Sequence, residues 1–167
     1  VVQHALHKSL SELYEKLFVR DSYACRINKG PHMAAARVQH YLRKSSKLYV
    51  CQIDISKYYA SINHQKLHDL LCKNIQDEKV LRLLKVIIES TESGHEYDNL
   101  FAADSNYFTK GRRGIPIGNL TSQLFANIYL HHFDMYVKQI LKVKLYARYM
   151  DDIVFFHEDK MQLKLWQ

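Results

Sequence analysis

Three aspartates carry the chemistry that this sequence offers. Asp151 and Asp152 stand side by side between Tyr149-Met150 and the apolar run Ile153-Val154-Phe155-Phe156, and Asp54 closes a run that begins at Leu48. Two ionised carboxylates about 4 Å apart repel by roughly 4 kcal/mol at an effective dielectric near 20. An Asp-Asp pair between short apolar strands is also what an ordinary polar turn contains, and by itself it favours that reading. The third acid alters the weighing. If the strands are neighbours, three carboxylates converge on one spot, and a hard divalent cation would neutralise them. Oxygen-only ligands select Mg²⁺, with Mn²⁺ as a substitute. Two such ions about 3.5–4 Å apart would activate a 3′-hydroxyl and stabilise a leaving pyrophosphate in an in-line displacement.

Such a centre needs strands to carry the acids. Leu48 to Ile55 alternates at period two, so Tyr49, Cys51, Ile53 and Ile55 share one face and Asp54 lies on the other. Val143–Tyr149 and Ile153–His157 read as a hairpin joined across Met150-Asp151-Asp152. Around them the spacing predicts helices. Val2, Leu6, Leu10, Leu13 and Leu17 form a stripe over residues 1–18, and a second helix runs from about Met33 to Lys44. Ser61 or Asn63 would cap a helix carrying Leu67, Leu70, Leu71 and Ile75, and Asp77 one carrying Val80, Leu81, Leu84 and Ile88. Residues 91–116 read as loop or hairpin. A long helix then spans about Thr121 to Leu141, with Leu124, Ile128, Phe133, Tyr136 and Ile140 inward.

The 167 residues include 24 Lys+Arg and 17 Asp+Glu, a net charge of +7, with the basic excess concentrated in the first fifty positions. That balance suits a polyanionic partner. Hydrophobic residues at 47% exclude a disordered chain, and no apolar run is long enough for a membrane span. Cys25, Cys51 and Cys72 are odd in number and never spaced CxxC, which fits reduced thiols in the cytoplasm. His64 and His68, four apart on a predicted helix, lack further ligands for zinc and read as surface or capping residues. His131 and His132 are equally ordinary, and Cys51 has no partnered histidine to make it a nucleophile.

The motifs together resemble a known family. Tyr149-Met150-Asp151-Asp152 between apolar strands resembles the C motif of reverse transcriptases, and Asp54-Ile55-Ser56-Lys57-Tyr58-Tyr59 resembles their A motif. Gly114-Ile115-Pro116-Ile117-Gly118-Asn119-Leu120-Thr121-Ser122-Gln123 resembles the B motif, and Val1 to Gly30, with Asp21-Ser22-Tyr23-Ala24-Cys25-Arg26, the fingers segment of bacterial members. Order and spacing agree, which a lone four-residue match would not ensure.

The resemblance implies an α+β fold: a palm with an antiparallel ferredoxin-like sheet backed by helices, plus part of the fingers. Residues 1–46 would be partial fingers and 47–167 mainly palm, in a fragment of a longer polymerase without its thumb. It further implies an RNA-directed DNA polymerase acting with two Mg²⁺ on dNTPs, an RNA template and a DNA primer. An accessory protein of a retroelement is a further expected partner, and no membrane is. Asp54 and Asp151 would be the main metal ligands, with Asp152 supporting and the Ile55 carbonyl joining. Tyr59 matches the steric gate that excludes a ribose 2′-hydroxyl, which disfavours an RNA-synthesising polymerase; a merely buried aromatic is the alternative. Gly118 would let backbone approach the incoming nucleotide. Ile117 and Gln123 depart from the retroviral B motif and resemble diversity-generating retroelement enzymes, whose copying of template adenines is error-prone, and also some uncharacterised bacterial relatives; Ile117 as plain packing stays open. Arg26, Lys29, Arg37, Arg43 and Lys44, and likewise Lys110, Arg112 and Arg113, would meet template phosphates or simply be solvated. Two rival readings remain, a group II intron-encoded enzyme with maturase activity and a non-catalytic RNA-binding palm remnant.

Overall fold

The computed structural model describes residues 2–45, 47–90 and 112–166. Lys110 and most of the segment expected to be loop or hairpin lie outside the described residues. Two compact units divide the chain, one built on Lys57–Tyr129 with the first few residues, the other on Ala5–Ser56 with the segment from Leu130 onward. Among the described residues no helix is long and apolar enough to cross a membrane.

The second unit contains the sheet. Strands β1 (Tyr49–Ile53), β2 (Leu145–Tyr149) and β3 (Asp152–His157) are antiparallel in the order β1-β3-β2. The alternation read from the sequence sets the faces. Tyr146, Ile153 and Phe155 are buried on one side with Val137, Val143 and Leu163, and Cys51, Ile53 and Ile55 pack against them. On the other side the Phe156 ring lies 5.8 Å from that of Tyr41, on helix α2 (Pro31–Leu42). Pro31 opens α2 at a position where its missing N–H costs nothing.

Helix α1 (Val2–Tyr14) ends sooner than the leucine spacing predicts, and a different stripe is buried. Leu10, Tyr14 and Phe18 are inside, whereas Val2, Leu13 and Leu17 are exposed. The chain turns after Tyr14, whose carbonyl accepts from both Leu17 and Phe18 N–H. Two aromatic side chains bring more apolar area inside than the leucines they displace.

In the first unit, α3 (Tyr58–Ser61), α4 (His64–Cys72) and α5 (Glu78–Glu89) follow in short succession. Asn63 caps α4 by accepting from Lys66 N–H at 2.9 Å, and Asp77 caps α5 through Lys79 and Val80 N–H, both as expected. Leu67, Leu71, Leu84 and Ile88 are buried.

The long helix is α6 (Leu120–Met135), and it does not run on as α to Leu141. Tyr136–Ile140 form a π turn, closed by Leu141 N–H donating to the Tyr136 carbonyl five residues back. Val137 is fully buried, continuing Leu130 and Asp134 at steps of four and three, while Tyr136 and Ile140 are 50% and 66% exposed, the reverse of the expectation from the sequence. Helix α7 (Lys160–Trp166) follows β3, and its Trp166 ring meets His157 edge-on.

Candidate active site

The sheet brings the acids to one end. The register pairs Ile53 with Ile153 and Tyr149 with Asp152, so Asp54, one residue past its last pair, stands where β3 begins. Only Met150 and Asp151 separate β2 from β3, which makes Asp152 the first strand residue rather than part of the turn. Asp54 and Asp152 are exposed and Asp151 is half-buried. No Lys or Arg among the described residues is ion-paired with them. Among the described residues, no three His, Cys, Asp or Glu side chains are grouped to hold a metal ion, so the three acids share one end of the sheet without forming such a cluster. An open set of one or two carboxylates fits Mg²⁺, which keeps water and takes substrate phosphates as further ligands.

The turn itself is held from below. Met150 is buried with φ +57, a left-handed conformation unfavourable for a residue with a Cβ. Its carbonyl accepts from Arg148 Nη1 at 2.8 Å. Arg148 is fully buried, and its Nε and Nη2 donate to the two oxygens of Asp134, each at 2.7 Å. Nη2 also lies 3.3 Å from Ser22 Oγ. Tyr146 donates its hydroxyl to Asp134 as well, and burial, then the Asp134 charge, raises its pKa.

The Asp21-Ser22-Tyr23 segment runs parallel beside β2. Arg148 N–H donates to the Asp21 carbonyl and Tyr23 N–H to that of Arg148, each at 2.9 Å. The buried Asp21 carboxylate takes Arg37 at 3.0 Å and Lys138 at 3.0 Å. Tyr41 donates to it at 3.2 Å, and the Tyr41 pKa is pushed up to about 12, first by burial and then by the Asp21 charge. The basic residues expected along a template therefore divide. Arg26 is 5% exposed, paired with Glu15 at 2.8 Å and bonded to the Val19 and Ser22 carbonyls, so its guanidinium faces inward. Arg37 is partly committed to Asp21. Lys29 lies 4.8 Å over the Tyr23 ring, with its pKa lowered chiefly by burial, and lines a groove with Arg20, Arg37 and His40. Arg43 and Lys44 are exposed.

Tyr59, Ile117 and Gly118 belong to the other unit, where hydrogen bonds join their segments. Ile115 N–H donates to the Tyr59 carbonyl at 3.1 Å, and Gly114 N–H to that of Ile62 at 2.9 Å. His64 is buried rather than superficial, and its Nε2 holds the Gly114 carbonyl at 2.6 Å. Tyr59 is half-buried against Tyr58. Gly118 has φ +93 with open space where a Cβ would project, and Ile117 is 88% exposed, so among the described residues it is not a packing residue. Arg112 is exposed and Arg113 half-buried, the latter bridged to Asn63.

The sequence matches, over residues 1–166, the family described as reverse transcriptase (RNA-dependent DNA polymerase). The chain belongs to the reverse transcriptase family. It is 28% identical over 144 residues to the group II intron-encoded protein LtrA of Lactococcus lactis subsp. cremoris, covering 86% of this chain and 22% of that one. An uncharacterized 91 kDa protein in the cob intron of Schizosaccharomyces pombe is 27% identical over 143 residues, 84% of this chain and 16% of its own length. The chain thus spans less than a quarter of either relative. Among solved structures, apo telomerase from Candida tropicalis, truncated from the C-terminal domain, shares the fold. Its TM-score is 0.63 at 17% identity, covering 98% of this chain and 35% of that one.

Within this reverse transcriptase chain, the sequence reading missed Arg148, Asp134 and Asp21. Arg148 had left a signal: it is the one charged residue in Leu145-Tyr146-Ala147-Arg148-Tyr149, two positions before the left-handed Met150. Asp134 had left none, since an acid on a long helix is usually solvated.

Proposed function

We propose that this chain carries the polymerising centre of an RNA-directed DNA polymerase, with 47–167 mainly palm and 1–46 part of the fingers. The observation that carries the reading is Asp54 set beside the β2–β3 turn with Asp151 and Asp152, all three without cationic partners among the described residues, in a chain of the reverse transcriptase family. Asp54 and Asp151, supported by Asp152 and the Ile55 carbonyl, would hold two Mg²⁺. When bound, these ions supply the charge that activates a primer 3′-hydroxyl and stabilises a leaving pyrophosphate. Arg20, Lys29, Arg112 and Arg113 offer phosphate contacts to template or primer, which position without reading sequence.

Tyr59 acts as the gate against ribonucleotides. Primer extension on an RNA template, with dNTPs or rNTPs and with Mg²⁺ or EDTA, tests the reading. Extension should require dNTPs and metal, and Tyr59→Ala should raise use of rNTPs by on the order of 10–100-fold. Template binding without metal-dependent extension would instead leave the RNA-binding remnant standing.

Two finer readings differ at Ile117. The intron-encoded relatives favour a group II intron-type enzyme. The exposure of Ile117 favours contact with the nascent pair, as in an error-prone retroelement enzyme. Ile117→Gln is expected to lower misincorporation opposite template adenine selectively. An unchanged error spectrum in sequenced cDNA would remove the retroelement reading.

A further inference from the structure

We infer that Arg148, clamped by Asp134, is a positioning residue for the turn that presents Asp151; the inference rests on the polymerase reading above. Both side chains are fully buried. A buried ion pair is often no more stabilising than well-packed apolar residues of similar volume, so its presence calls for a geometric reason. The third nitrogen supplies one. Nε and Nη2 occupy the Asp134 carboxylate, which fixes the guanidinium plane and leaves Nη1 aimed at the Met150 carbonyl, 2.8 Å away. That carbonyl belongs to the planar peptide joining Met150 to Asp151, so holding the oxygen sets the direction in which the chain leaves for the Asp151 Cα. The hold falls where the backbone needs one, at a non-glycine residue with φ +57.

The support reaches further back. Asp134 also accepts from Tyr146, and the Arg148 peptide is bonded on both sides to the Asp21-Ser22-Tyr23 segment, so the guanidinium has little freedom to drift. A lysine cannot reproduce this arrangement. Its single ammonium on a flexible stem lacks the planar fork that serves Asp134 and the Met150 carbonyl together. Arg148 touches no reacting atom; it acts through the backbone of the turn.

Two variants separate positioning from folding. Arg148→Lys keeps the buried charge balanced, and Arg148→Met with Asp134→Asn removes both charges at once, avoiding an unpaired buried ion. Three readouts apply: Mn²⁺ binding by electron paramagnetic resonance without nucleic acid, hydrogen exchange at the Asp151 and Asp152 amides, and kcat against KM for dNTP. We expect Mn²⁺ affinity and kcat to fall by about 10–100-fold in both variants, the range for groups that orient metal ligands. Exchange at the two amides should quicken, and KM for dNTP should stay within about twofold. If a folded variant matches the parent in Mn²⁺ affinity and amide exchange, the inference is overturned, whatever its thermal stability. If neither variant folds, Arg148 is a stability residue and the inference is likewise overturned. Asp151→Asn in the parent background is the control. A parent that binds no Mn²⁺ through Asp151 overturns the polymerase reading itself, and a parent that binds it while the variants do so equally well overturns only the role of Arg148.

Discussion

Asp151→Asn is expected to reduce primer extension by about 10³-fold or more while the protein stays folded. The amide is nearly the same shape as the carboxylate, and Asp151 has no ion pair among the described residues to lose. On the proposed reading, what disappears is a negative ligand for a divalent cation, whose stabilisation of developing charge amounts to several kcal/mol. About 4 kcal/mol of barrier corresponds to roughly a thousandfold in rate. Single-nucleotide extension in saturating Mg²⁺, with a thermal melt on the same sample, measures both halves of the claim. Asp54→Asn should behave alike, and Asp152→Asn should lose less if it plays the supporting role proposed above. Near-parental extension by Asp151→Asn would place the chemistry elsewhere.

A large loss of stability is expected from Asp21→Ala. That carboxylate is buried and gathers Arg37, Lys138 and the Tyr41 hydroxyl, while its own backbone carbonyl is bonded to the Arg148 strand. Breaking a buried pair by removing one partner costs about 3–5 kcal/mol because the other charge is stranded. Both cations are 26% exposed and can turn partly to water, so the lower end, about 3 kcal/mol, is the expectation. Urea unfolding would register it as a lower midpoint with an unchanged slope. Double substitution of Asp21 and Lys138 should lose less than the sum of the single changes, as the two share one interaction. A shift below about 1 kcal/mol would mean that Asp21 is only a surface acid that happens to be covered.

Much of the local structure was legible because it obeys short-range rules. Period-two alternation in β1, the caps at Asn63 and Asp77, and an apolar hairpin around Met150 all show in neighbouring residues. The stripe of α1 and the end of α6 were not, because both depend on departures from a regular helix. The turn after Tyr14 leaves aromatic residues inside and leucines outside, and α6 gives way to a π turn at Tyr136, where Val137 rather than Tyr136 is buried. The basic residues illustrate a different limit. Nothing in the residue type distinguishes Arg26, folded onto Glu15, from Lys29, which lines a groove, since the irregular loop between them decides which side chain turns inward. The ion pair of Asp134 with Arg148 is the extreme case, formed between a helix and a strand that each look ordinary alone.

The pairing of β1 with β3 also sets an order of events at birth. Ile53 cannot meet Ile153 until roughly a hundred further residues have left the ribosome, an interval of about 5–20 s at ordinary rates of translation. During that interval β1 is a strand with both edges bare, carrying exposed Tyr49 and Val50. The helices from Tyr58 to Glu89, joined by near-neighbour contacts, can already be formed. Asp54 therefore waits for its companions, and the nascent chain holds no assembled acidic centre until the last hairpin closes.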